Sequence, residues 1–132
     1  MIEKINTYFT DIYFNLHPTH EDAISHQSVR ILQIVQKKQI VAIRDIAEHL
    51  SISNNTASEH VKKLVRNGWL SKARNELDQR IVYLRLTEKG LHVLKKNSEL
   101  DELKLKAALE KLAEDERKQI VEAFRLLSEV SR

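Results

Sequence analysis

The sequence predicts a mostly α-helical domain carrying one small β-hairpin, an α+β chain. Three observations point there. Glycine occurs twice and proline once in 132 residues, too few for the many turns of a sheet-rich fold. Apolar residues recur at three- and four-residue steps along most of the chain, the period of a half-buried helix. Two short pieces, Leu70 to Arg74 and Ile81 to Leu86, read instead as strands.

Ile2, Ile5, Phe9, Ile12 and Leu16 mark a first helix, which Pro18 ends inside the polar stretch His17 to Asp22. Ser25 caps a second, with Val29, Leu32 and Val35 on one face. Ile40-Val41 suggests one turn of strand. Ile43, Ile46, Ala47 and Leu50 mark a short third helix whose start, at Ala42, lacks a side-chain cap. Ser51-Ile52-Ser53 is a turn, and Ser53 caps a fourth helix with Ala57, Val61, Leu64 and Val65 as its buried stripe. Asn67-Gly68 supplies a left-handed end. In the second strand Val82, Leu84 and Leu86 alternate with Ile81, Tyr83 and Arg85 and are expected to face the core. Thr87 caps the remainder of the chain, read as two helices. Leu91, Leu94, Leu100, Leu103, Ala107 and Leu109 stripe the first, and Ile120, Phe124, Leu127 and Val130 the second. Glu114, Asp115 and Glu116 complement the dipole where the last helix begins.

Composition narrows the function. At 132 residues, 42% hydrophobic and 31% charged, the chain suits one globular domain with a real core. With no cysteine there is no disulfide, thiolate metal site or thiol redox sensor. The apolar runs are too short to span a bilayer, so no membrane partner is expected. Met1-Ile2-Glu3-Lys4 does not read as a secretory signal, and a cytoplasmic location is expected. There is no glycine-rich phosphate loop and no Gly-x-Ser-x-Gly elbow. The acid–histidine neighbours Glu48-His49 and Glu59-His60 point apart along the chain. Neither an enzyme nor a cofactor is expected.

Charge is more informative. Residues 1–52 carry five Lys/Arg against six acids and residues 86–132 carry ten of each, whereas residues 53–85 carry seven (Lys62, Lys63, Arg66, Lys72, Arg74, Arg80, Arg85) against three. Positive charge gathered in one stretch is what a polyanion partner requires; a solvated basic face is the plainer alternative. Residues 43–67 fit a helix-turn-helix plan, in which the second helix offers its outer face to the major groove of double-stranded DNA. That helix opens Ser53-Asn54-Asn55-Thr56, with Ser58 close behind. These are side chains that read base edges or bond phosphates, although Asn and Ser are also good caps. Lys62, Lys63 and Arg66 lie where the helix would meet phosphates. Glu59 either accepts from cytosine N4 or pairs with Lys62 or Lys63, and the intrahelical pair is favoured. His60, beside the buried stripe, reads as half-buried packing. The hairpin places Lys72, Arg74 and Arg80 near the tip of a basic wing, with Arg80 suited to the narrow minor groove.

With these residues the chain resembles the MarR family of winged helix-turn-helix regulators. Asp78-Gln79-Arg80, with Leu86-Thr87-Glu88-Lys89-Gly90 five residues further on, is similar to the family's wing signature. Asp45 to Ser53, Asn55 to Ser58 and Leu64 to Gly68 resemble its helix-turn-helix elements, in register from about Ile24 to Gly90. The resemblance implies one domain over 1–132, with a DNA-binding lobe over 24–90 and dimerisation helices over 1–22 and 91–132. It further implies that Ser53 to Lys63 enter the major groove, that Arg80 reaches the minor groove, and that Asp78 fixes the wing's turn. The partners implied are DNA and a second copy of the chain, and the function that of a repressor acting as a homodimer on a pseudo-palindromic operator. A winged-helix module for protein contacts alone is the alternative. Glu59 departs from the family, where a basic residue is common.

The resemblance also implies a small-molecule effector held between dimer helices and DNA-binding lobe, for which Phe9, Tyr13, Phe14 and Trp69 are candidates. His17, His20, Glu21 and His26 supply metal-type ligands. Zinc-responsive relatives, however, also use a His-x-x-x-His pair after the wing, where this chain has His92 and then Lys96. No metal site is expected.

Overall fold

The structure is a computed structural model, and it describes residues 1–19, 24–38, 40–74, 76–78 and 80–132. The described chain runs α1 (Ile2–Leu16), α2 (His26–Lys37), α3 (Ile43–Leu50), α4 (Asn54–Arg66), β1 (Leu70–Arg74), β2 (Val82–Leu86), α5 (Glu88–Ser98), α6 (Glu102–Leu109) and α7 (Glu114–Val130). It divides into two compact units, Met1–Thr19 with Leu100–Arg132, and His20–Glu99.

The second unit holds the core. Ile31, Leu32, Val41, Ile46, Val61, Leu64, Leu70 and Leu94 are its fully buried large side chains, and each is worth about 1.5–3 kcal/mol over an exposed position. On α2 the expected Leu32 and Val35 are buried, joined by Ile31 and Ile34, while Val29 packs at the margin. The face is therefore broader than a three-residue stripe because both α5 and β2 pack on this helix. Its cap is as expected: the Ser25 hydroxyl accepts from the Ser28 N–H at 3.1 Å. Without a capping side chain at Ala42, α3 uses the other half of a capping box, with Asp45 Oδ2 accepting from the Ala42 N–H at 2.8 Å. The turn into α4 passes through Ser51, the one non-glycine residue among those described with left-handed φ, +55°.

β1 and β2 pair antiparallel with Leu70 opposite Leu86, Lys72 opposite Leu84 and Arg74 opposite Val82. Leu84 is buried, and Val82 and Leu86 are half-buried. The Ile40-Val41 piece forms no strand among the described residues. It contributes one ladder-like bond instead, from the Leu84 N–H to the Val41 carbonyl at 2.8 Å, which ties the hairpin to the start of α3. Gly68 ends α4 at φ +78°. The Thr87 hydroxyl then fastens two ends at once, donating to the Gly68 carbonyl at 2.6 Å and accepting from the Gly90 N–H at 2.9 Å.

After the wing the described chain forms three helices rather than the expected two. Leu, Glu and Lys favour helix throughout this stretch, so propensity alone runs α5 into α6. Asp101 stops that continuity: its Oδ1 accepts from the Lys104 N–H at 2.9 Å and caps a new helix. Val93 and Leu94 of α5 are buried in the second unit, whose bounds run past residue 90 to Glu99.

In the first unit, the Asp101 N–H donates to the Leu16 carbonyl at 2.8 Å, and Lys104 Nζ donates to the His17 carbonyl at 3.0 Å. Arg125 pairs with Glu122 and Glu129 along α7. None of α1, α6 and α7 has a buried residue. Phe14 is 77% exposed and Phe124 55%, with Phe9, Val121, Leu127 and Val130 similarly open.

Candidate nucleic-acid interface

The candidate interface is built on α4. Burying Ala57, Val61 and Leu64 turns the opposite face outward. Asn55, Glu59, Lys62 and Arg66, at steps of four, three and four residues, line up along that face, and all four are exposed. Ser53, Asn54, Thr56 and Lys63 are exposed too, while Ser58 is half-buried. Two of the polar side chains at the helix start serve each other. The Ser53 hydroxyl accepts from the Thr56 N–H at 3.0 Å and donates to Thr56 Oγ1 at 2.9 Å. Capping thus occupies Ser53 and Thr56, and the open amides of this turn are those of Asn54 and Asn55. Glu59 pairs with Lys62 at 3.3 Å, as the spacing favours. His60 is half-buried.

On the wing, Lys72 sits mid-strand opposite Leu84, and Arg74 ends β1. Both are exposed. Asp78 holds Arg80 through both carboxylate oxygens, from Nε to Oδ1 at 3.0 Å and from Nη2 to Oδ2 at 3.1 Å. Oδ1 also accepts from the Arg80 backbone N–H at 3.1 Å. The guanidinium beside it, then that backbone N–H, hold the Asp78 carboxyl below the usual aspartate range. The Arg80 side chain remains 91% exposed, so a fixed cation projects from the wing. Gln79, between them in the expected signature, lies outside the described residues, as does Asn75 of the turn.

The two elements share a surface. Asn54 of α4 and Arg80 of the wing line one cleft of about 630 Å³, together with Arg44, Asp45, Ile81 and Tyr83. Arg44 is a cation that charge counting concealed, because residues 1–52 are acidic in sum. Its position on the exposed face of α3 was the available signal.

The other candidates fall in both units. Trp69 is half-buried and lines a cleft of about 480 Å³ with Ile24, Ser28, His60, Lys63 and Leu64. Phe9, Tyr13 and Phe14 are exposed on α1, in the other unit. His17 Nδ1 lies 2.9 Å from the Tyr13 carbonyl. His20 and Glu21 lie outside the described residues, and among those described no group of three His, Asp or Glu is placed to hold a metal ion. No helix among the described residues is long and apolar enough to cross a membrane.

Comparison with known proteins agrees with this architecture. Residues 24–90 match the family described as the winged helix DNA-binding domain. The HTH-type transcriptional regulator YfiV of Bacillus subtilis is 27% identical over 105 residues, covering 80% of this chain and 66% of YfiV. The chain therefore spans about two thirds of that relative's length. The zinc-responsive MarR family member ZitR of Lactococcus lactis is 26% identical, with a TM-score of 0.55 over 99% of this chain and 96% of ZitR. A MarR-like transcriptional regulator from Thermotoga maritima shares the fold at a TM-score of 0.68, with 24% identity over 99% of this chain and 94% of that one.

Proposed function

The chain belongs to the winged helix DNA-binding domain family and is a transcriptional regulator of MarR type, and on that premise we propose that it represses by binding a pseudo-palindromic operator as a homodimer. One observation carries the DNA contact: the start of α4 and the wing arginine flank a single cleft. A helix in the major groove then brings Arg80 to the neighbouring minor groove, whose negative potential favours arginine. Asn54 and Asn55 read bases, adenine above all, through its N6 and N7. Lys63 and Arg66, with Lys72 and Arg74 on the wing, neutralise phosphates. The exposed apolar faces of α1 and α7 support pairing with a second copy, since such faces are costly to leave in water.

Release by a small-molecule effector belongs to the same proposal. The cleft beside Trp69 is of ligand size and touches Lys63 on α4, so an occupant there bears on the DNA-reading helix.

Selection from random duplexes tests the whole. The expected product is an inverted repeat with half-sites about one DNA turn apart, roughly 34–36 Å. A selection that enriches no inverted repeat counts against the dimeric operator, and one that retains no duplex leaves only a module for protein contacts.

A further inference from the structure

Glu59 stands at the centre of the outward line Asn55, Glu59, Lys62, Arg66, opposite the buried stripe of α4. Its side chain is 73% exposed, so any duplex that receives α4 receives this carboxylate. An ionised carboxylate only accepts hydrogen bonds, and phosphates repel it. Left without a donor inside a groove, it opposes binding. The major-groove edge offers two donors, the amino groups of cytosine N4 and adenine N6.

Lys62 decides between them. Its ammonium lies 3.3 Å from Glu59 Oε1, so an acceptor and a donor are held side by side on the exposed face. A G·C pair presents the complement of that arrangement: the cytosine N4 amino group next to guanine O6, with guanine N7 beyond. A lysine can bridge the two neighbouring guanine acceptors while the carboxylate takes the cytosine amino group. In an A·T pair the adenine donor separates its acceptors and the thymine methyl crowds the edge, so the ammonium has no adjacent pair to bridge. The ammonium also shields the carboxylate from the phosphates.

We infer that Glu59 and Lys62 act as one reading unit for a G·C pair at one symmetric position of each half-site. This rests on the proposed entry of α4 into the major groove. The test is equilibrium binding to a selected duplex in which each base pair is replaced in turn, using wild type, Glu59→Ala, Glu59→Gln and Lys62→Ala of matched helicity. One G·C position is expected to cost wild type about tenfold when changed to A·T, and Glu59→Ala and Lys62→Ala about twofold or less. Glu59→Gln is expected to prefer A·T there, since glutamine pairs with adenine through N6 and N7. An unchanged positional profile in Glu59→Ala, with uniformly tighter binding, overturns the inference and leaves the DNA-reading helix intact. A wild-type profile flat at every position overturns both.

Discussion

Asp78 and Arg80 show how a single carboxylate can prepare an exposed cation. A free arginine samples many rotamers and loses that freedom on binding. Here two parallel hydrogen bonds from the guanidinium to Asp78 hold the side chain in place before any duplex arrives. Asp78→Ala is therefore expected to weaken operator binding severalfold without changing its salt dependence, because the Arg80 charge remains. Titration of binding against salt checks both halves. The pairing also has a pH signature. Because the Asp78 carboxyl is held below its usual range, the pair persists to lower pH than an unpaired aspartate would allow. It is lost only as pH drops through the lowered value. The Arg80 Nε–H resonance tracked by NMR should stay constant down to that point, and a change in step with ordinary carboxylates would contradict the pairing.

At the scale of elements, most of the secondary structure could be read from local chemistry. Ser25, Ser53 and Thr87 each cap the helix expected of them, because a hydroxyl before an apolar period has one dominant use. Ser53→Ala should cost about 1 kcal/mol of stability, measured by denaturant titration. Contributions that depend on distant chain were not readable. The bond from Leu84 to the Val41 carbonyl joins residues far apart in sequence, and no local pattern announces it. The break between α5 and α6 was hidden by the good helix formers on either side of it, although Asn97, Ser98 and the cap Asp101 were in plain sight. Gly90 is a third case. A Cβ there would stand 2.0 Å from the Trp69 carbonyl oxygen, so α5 can approach the start of β1 only at glycine. Gly90→Ala should destabilise the fold well beyond the Ser53→Ala cost. A thermal midpoint near wild type would contradict that close approach.

For the whole molecule, one unit buries a conventional core while the helices of the other bury none of their residues. The apolar stripe ending in Phe124, Leu127 and Val130 was legible from spacing, but what covers it was not, since a periodic stripe looks the same against its own core or a partner. If a second copy covers it, the protein sediments at twice the chain mass and its thermal midpoint rises with concentration. Phe124→Asp with Leu127→Asp should then give a monomer that loses operator affinity. The distribution of charge, by contrast, favours DNA more strongly in the folded chain than in the sequence. Arg44 and Arg80, on separate elements and distant in the chain, meet at one cleft beside Asn54. The decisive measurement is duplex affinity against salt concentration for wild type and Arg80→Ala. Wild type should show a steep slope, about −0.9 per phosphate neutralised, and Arg80→Ala a lower affinity at every salt concentration. No binding at low salt, or equal affinities for the two proteins, would contradict a DNA interface built from α4 and the wing.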